Sequence, residues 1–315
     1  MRRYVLAGGL FAAGIALAAV AQTAPPLKEL RWLAAGADPV TEATTRPVEC
    51  LAAGEHSLPV EIGRAAFRSP LLLGGQASRA GLSCEACHRN GRTNPQFSFP
   101  GVSGAPGTAD VTNSLFSSHR GDGIDNPRPI PDLGGPKAAL KISQDPAAPG
   151  LRTFIHGLVT EEFDGDEPTP AVMDGLAAYV RALSPANCPV TGRRPLRATD
   201  LTEDARRAVR AAREALALKD PATAIAMLDA ARAPLFRLDE RYAGPDLAAD
   251  RGAIRAASLE LGAVLADLRA GARDVDQRLS VWLGQSSVWG AALARDEPRS
   301  LFNPRNLKAA LASPR

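Results

Sequence analysis

Apolar positions keep a helical period over most of the C-terminal third of the chain. Ala205, Val209, Ala212 and Leu216 fall on one face of a helix running from Thr202. Asp220-Pro221 reads as the N-cap and first-turn proline of the next helix, with Ile225, Leu228 and Ala231 on its apolar side. Ile254, Ala257, Leu261, Val264, Leu265 and Leu268 stripe a longer helix over about 250–270, and Val275, Leu279 and Trp282 a further one. Upstream, Val172, Leu176, Tyr179, Val180 and Leu183 predict a helix from Pro170 to Leu183, with Thr169 as its N-cap. Between Pro95 and Pro149 no period survives, because Gly and Pro interrupt it repeatedly. Phe97, Phe99, Leu115, Phe116, Ile130 and Leu133 nevertheless punctuate this stretch. A loop so long and so apolar is expected to wrap something rather than to link domains.

The start of the chain carries a different pattern. Met1-Arg2-Arg3 precedes an almost wholly apolar run from Val5 to Val20, and Ala19-Val20-Ala21 offers a small-residue cleavage site. Residues 1–21 are therefore expected to be a secretory signal peptide; an uncleaved anchor is the alternative, disfavoured because the run is shorter than the ~20 residues that span a bilayer. The mature protein is expected in the periplasm, not as a transmembrane protein. Lys+Arg number 37 against 34 Asp+Glu, a net charge of +3. So weak a bias gives no reason to expect a nucleic-acid partner.

Export matters for the four cysteines. Cys84-Glu85-Ala86-Cys87-His88 is C-x-x-C-H, the attachment pattern of c-type haem. Two thiols three positions apart in a helical turn can each add to one vinyl group. The next residue then presents its imidazole to the iron. There is no second C-x-x-C to complete a zinc site and no βαβ context for a thioredoxin-like dithiol. One covalent haem c on Cys84, Cys87 and His88 is the expectation, with His88 as proximal iron ligand. Cys50 and Cys188 are left as an even pair in an oxidising compartment, so a disulfide is expected, the alternative being two free thiols. It would close a loop of 138 residues, worth about 4–5 kcal/mol by the chain-entropy argument.

The residues around the motif extend the reading. Ile62-Gly63-Arg64, Phe67, Ser69-Pro70-Leu71-Leu72-Leu73-Gly74-Gly75 and Leu82-Ser83-Cys84-Glu85-Ala86-Cys87-His88 resemble the haem segment of bacterial dihaem cytochrome c peroxidases and their MauG-like relatives. Asp110-Val111-Thr112-Asn113-Ser114-Leu115 and Arg120-Gly121-Asp122-Gly123 extend the resemblance, which covers about residues 60–185. It implies a small helical cytochrome c domain and keeps peroxidase-like chemistry in view. The family has two C-x-x-C-H sites and this chain has one.

The distal side of the iron stays open at this point. His156, Met173 and His119 are the three distal candidates, and an open or water-bound position is the fourth possibility. Each has an ordinary reading: a packed histidine, a core methionine and a loop histidine. His56 is most simply a surface residue. Arg120 and Arg128 are candidates for pairing haem propionates. Asp122 with Asp125-Asn126, and Asp164 with Asp166-Glu167, offer oxygen donors, but neither set matches an EF-hand loop and calcium is not expected.

The expected fold class is mainly α: a cytochrome c-like haem domain with long Gly/Pro-rich loops, then a C-terminal α-helical bundle. The expected division is a signal over 1–21, an N-terminal extension over 22–49, the haem domain over 50–188, a linker over 189–201 and the helical domain over 202–315. The helical domain shows no catalytic cluster and reads as a docking or stabilising unit, with Arg206, Arg207, Arg210 and Arg213 as a basic stripe. Two functions follow: an electron carrier meeting a redox partner protein, or a peroxidase-like enzyme reducing hydrogen peroxide with an external electron donor.

Overall fold

The structure is a computed structural model that describes residues 27–52, 54–188, 192–272 and 274–312. The expected signal peptide lies outside them. The described residues are mainly helical, as the periodicity requires. In chain order the elements are α1 (Pro39–Thr44), β1 (Thr45–Pro47), α2 (Leu58–Phe67), α3 (Gly75–Arg79), α4 (Cys84–Cys87), β2 (Thr108–Ala109), β3 (Arg128–Pro129), α5 (Gly150–Gly157), α6 (Pro170–Ala182), β4 (Arg193–Pro195), α7 (Ala198–Ala217), α8 (Pro221–Arg241), α9 (Ala248–Arg269), α10 (Val275–Asp296) and α11 (Pro304–Ala312).

The N-terminal half is organised by one helix crossing. α2 packs across α6 with the two backbones in contact at Gly63 and Gly175. A Cβ placed on Gly63 would stand 1.9 Å from the Gly175 carbonyl oxygen, and one on Gly175 2.8 Å from Gly63 N. Only glycines permit this approach. α6 begins where the sequence says it should: Thr169 Oγ1 accepts from Val172 N, and Pro170 has no N–H to satisfy. Phe67 on α2 meets Tyr179 on α6 edge-to-face, with ring centroids 5.2 Å apart.

The C-terminal half is a four-helix bundle in which α7 packs on α8, α8 on α9, α9 on α10 and α10 back on α7. The predicted apolar faces are those buried: Ile254, Leu261, Val264 and Leu265 of α9, and Val275, Leu279 and Trp282 of α10. Asp220 caps α8, accepting from Thr223 N.

The two halves share one apolar core, running from Val60 and Phe67 through α6 into the bundle as far as Phe302. The expected 189–201 connector contains structure of its own. β4 pairs antiparallel with β1, with Arg46 opposite Arg194. α7 then starts at Ala198, because the Asp200 carboxylate accepts from Arg197 N at 2.8 Å and so adds a first turn. The N-terminal extension is also built in, with Leu27, Leu30 and Ala43 buried against Leu307 of α11.

Charge joins the halves as well. Glu49 accepts from Arg64 (2.8 Å), Arg68 (2.9 Å) and the Tyr179 hydroxyl (2.7 Å), and Arg64 also meets Asp204 of α7 at 3.2 Å. Burial opposes ionisation of Glu49, yet the two guanidiniums hold it well below the usual carboxylate range. Glu29 does the same for the buried Arg241 and for Arg237. Burial raises its pKa, and the two cations outweigh this to bring it down to about 2. The basic stripe expected on α7 is used internally. Arg206 bonds the Leu283 carbonyl, Arg207 and Arg210 meet Glu203, and Arg213 pairs with Asp276.

Two predictions follow from this packing. Gly63→Ala forces backbone against backbone and is expected to cost about 3 kcal/mol. The control Gly284→Ala, on an exposed turn of α10 with nothing within 4 Å, is expected to gain ~0.5–1 kcal/mol. Denaturant unfolding of both variants checks this. Glu29→Gln removes the ion-pair partner of the buried Arg241 and is expected to lose about 3–5 kcal/mol at neutral pH. Because the folded pKa of Glu29 is depressed, the parent's advantage is present above the ordinary carboxylate value of 4.5 and disappears as pH falls toward about 2. Parent and variant stability curves should therefore converge over that window.

Candidate functional site

The C-x-x-C-H run forms a single helical turn, α4, opened by Ser83 in an extended conformation and closed at His88, where the backbone leaves the helix. Local hydrogen bonds pin it. Asn94 Nδ2 donates to the Ala86 carbonyl at 2.8 Å, and its N–H donates to the Cys87 carbonyl at 2.9 Å. Asn90 takes the left-handed conformation (φ 50°), which asparagine tolerates. Its side chain donates to the Pro47 carbonyl at 2.7 Å.

His88 Nδ1 lies 3.0 Å from the Pro131 carbonyl oxygen. A carbonyl only accepts, so Nδ1 carries the hydrogen and Nε2 is left with its lone pair. Burial lowers the pKa of His88 to about 4, which keeps the imidazole neutral, the form that binds metals. Burial also raises both thiols, Cys84 and Cys87, to about 12.

All three residues line a cavity of about 480 Å³, within the size range of cofactor pockets. One wall is Phe67, Leu176 and Val180, carried by the α2–α6 crossing; a second is Leu73 and Leu82. The Gly/Pro-rich segment supplies much of the remainder, including Phe97, Phe116, Ile130 and Leu140. The segment thus lines the cavity with its apolar residues, although Leu115 is exposed. Phe154, Ile155, Leu158 and Val159 close the cavity from α5 and the single π-helical turn at Leu158–Glu162 that follows it.

The fit to a haem rests on four features. The lining is largely apolar, two thiols and a free imidazole nitrogen stand at one side, and Arg128 and Lys141 add exposed cations. Finally, Gln144 Oε1 is buried in the lining without a hydrogen-bond partner, while its amide nitrogen donates to the Ile142 carbonyl. Sequence reasoning missed Pro131, Lys141 and Gln144, because a loop without periodicity gives no sign of which way its side chains point.

None of the three distal candidates lines this cavity. His156 sits on α5, but the face turned inward carries Phe154, Ile155 and Leu158, so the helical phase puts His156 outside, where Nε2 lies 2.6 Å from Glu167. Met173 is packed in the main core at the start of α6. His119 is 62% exposed on its loop, 3.9 Å from Asp164. Apart from His88, no histidine or methionine among the described residues is in the lining. Arg120 is likewise diverted, to Glu161 and Glu162, whereas Arg128 stays at the cavity.

Cys50 and Cys188 are joined as a disulfide with Cα atoms 4.5 Å apart. It ties the two ends of the 50–188 segment beside the Cys50–Ser184 backbone hydrogen bond. No helix among the described residues is long and apolar enough to cross a membrane. No protein-family model, curated protein or solved structure matches the chain.

The disulfide yields a prediction. Replacing Cys50 and Cys188 by serine together is expected to lower stability by about 2–5 kcal/mol, read by denaturant unfolding. A loss below 1 kcal/mol would show that the 138-residue closure contributes little.

Proposed function

We propose that this chain is an exported c-type haem protein that carries one covalent haem and transfers electrons to or from a redox partner protein. The observation that carries the reading is the placement of the C-x-x-C-H turn. Cys84, Cys87 and a neutral His88 with its Nε2 free open together on one large apolar cavity. The α2–α6 crossing beside this turn supports a cytochrome c-like haem domain.

In this reading Cys84 and Cys87 hold the macrocycle by thioethers. His88 presents Nε2 to the iron, and Pro131 holds the ring in the tautomer that permits it. Arg128 and Lys141, both in the lining, would pair the propionates, and the Phe and Leu walls would keep water from the bound group. Bound haem supplies a one-electron couple. The segment's likeness to dihaem peroxidases, on a chain with one C-x-x-C-H, means that any peroxide chemistry draws its electrons from outside.

A second reading, a peroxidase-like site open to a small exogenous ligand, is favoured by one observation. Among the described residues no His or Met other than His88 is in the lining, where Gln144 also offers an unpaired acceptor.

Optical and EPR spectra of the purified protein, with and without hydrogen peroxide, separate the two. A low-spin six-coordinate spectrum indifferent to peroxide supports the carrier. A high-spin spectrum with turnover of an electron donor supports the enzyme. The haem signal should survive denaturing electrophoresis in the parent and be lost in the Cys84→Ala, Cys87→Ala double variant. A parent without covalent haem would falsify both readings. His156→Ala should leave the spectrum unchanged.

A further inference from the structure

The turn that serves His88 is held by more than its own backbone. Thr93 Oγ1 donates to the Ile130 carbonyl at 2.7 Å, and Gly134 N donates to the Gly91 carbonyl at 3.1 Å. Between these two ties stands Pro131, whose carbonyl accepts from His88 Nδ1. A third tie reaches further. The Arg92 guanidinium lies 2.8 Å from the Asp132 carboxylate through Nε and Nη2. Its Nη1 is 3.3 Å from Cys50 Sγ and 3.2 Å from Cys188 Sγ. One side chain thus grips the disulfide and the residue next to Pro131 at once. Gly134 completes the contact, since a Cβ there would stand 3.0 Å from both Arg92 Cδ and Cys50 Sγ.

We propose that Arg92, Asp132 and the Cys50–Cys188 disulfide form a clamp that positions the Pro131 carbonyl against His88 Nδ1. Arg92 and Asp132 are positioning residues outside the cavity lining, and the Asp132 carboxylate also acts on His88 through space. The physical basis is the planar guanidinium, which bonds a carboxylate along one edge while a third nitrogen bonds elsewhere. The disulfide gives that third nitrogen a fixed anchor, because its two halves come from opposite ends of the 50–188 segment. A carbonyl held at hydrogen-bond distance from Nδ1 raises the basicity of Nε2. The clamp therefore tunes the proximal ligand as well as holding the loop. Its effect on haem rests on the reading of His88 as the iron ligand; the hydrogen bond itself does not.

Two readouts on Arg92→Gln test this. Long-range proton–nitrogen NMR of His88 follows the Nδ1–H hydrogen bond with or without haem. The Nδ1 proton is expected to move upfield and to exchange at least ~10-fold faster with solvent, since the opening that releases it becomes easier. Where the reduced iron is five-coordinate, the iron–histidine stretching band in the resonance Raman spectrum is expected at lower frequency; where it is six-coordinate, the NMR readout alone applies. The milder Asp132→Asn variant keeps part of the contact and should shift both in the same direction by less. The serine double variant of Cys50 and Cys188 should reproduce the Arg92→Gln shift, and combining the two should add little, as expected for members of one clamp. Unchanged His88 signals, with only the melting temperature lowered, would overturn the proposal, as would fully additive shifts. A parent lacking haem would instead defeat the functional reading, and the NMR measurement would still decide the clamp.

Discussion

The helical wall of the cavity depends on two helices meeting without side chains between them. At Gly63 and Gly175 the backbones of α2 and α6 touch, and no residue with a Cβ fits either position. The closeness has a geometric effect one turn further on. It brings Phe67, Leu176 and Val180 onto a single wall, facing the turn that holds Cys84, Cys87 and His88. A crossing set wider by one methyl group would move that wall, because packed interiors transmit such displacements. The same helices extend the core into the bundle, where α7 and α8 lie against α2. The bundle thereby backs the cavity wall instead of hanging from it.

The contact between bundle and cavity domain is an unusual mixture of apolar packing and buried charge. Glu49, Asp204, Arg64 and Arg68 lie almost fully enclosed and bond one another. Replacing such a cluster by well-packed apolar residues is often neutral or stabilising, so its presence is weak evidence for stability. What it does supply is register. Each carboxylate has guanidinium partners at fixed angles, and sliding α7 along α2 by one turn would strand several charges at once. Tyr179 ties this cluster to the helix crossing through its bond to Glu49. The ionic and the apolar constraints therefore specify the same arrangement.

How much of this is legible in the sequence depends on whether a residue's role is local. The α6 helix and its Thr169-Pro170 start are readable because cap and stripe are local signals, and the same holds for Asp220-Pro221 and the apolar faces of α9 and α10. Cys50–Cys188 follows from counting, since the other two cysteines already have a motif. The start of α7 is misplaced by four residues because Asp200 caps it through its side chain, a contact that periodicity does not reveal. The distal candidates illustrate a deeper limit. His156 is on a short helix, and only the three-dimensional phase of α5 tells that Phe154 and Ile155 face the cavity while it does not. Pro131, Lys141 and Gln144 come from a segment with no period at all, where side-chain direction is fixed by tertiary contacts.

The cavity's electrostatics bear on which role a bound haem would play. The histidine is neutral and hydrogen-bonded to a backbone carbonyl, the walls are mostly apolar, and the two charged side chains in the lining, Arg128 and Lys141, are both cations. An apolar surround penalises the net positive charge that iron gains on oxidation, and nearby cations add to that penalty. The Pro131 bond works the other way, since a more basic imidazole favours the oxidised metal. The potential would thus be set by a balance between the apolar, cation-bearing lining and one hydrogen bond from the loop. The α2–α6 wall is set by the close approach of the two backbones at the glycine crossing. The loop reaches His88 at Pro131, and Arg92 ties the neighbouring Asp132 to the disulfide. With four histidines in the sequence and one C-x-x-C-H turn, a metal bound at His88 would be tuned chiefly by the residues between Ile130 and Gly134.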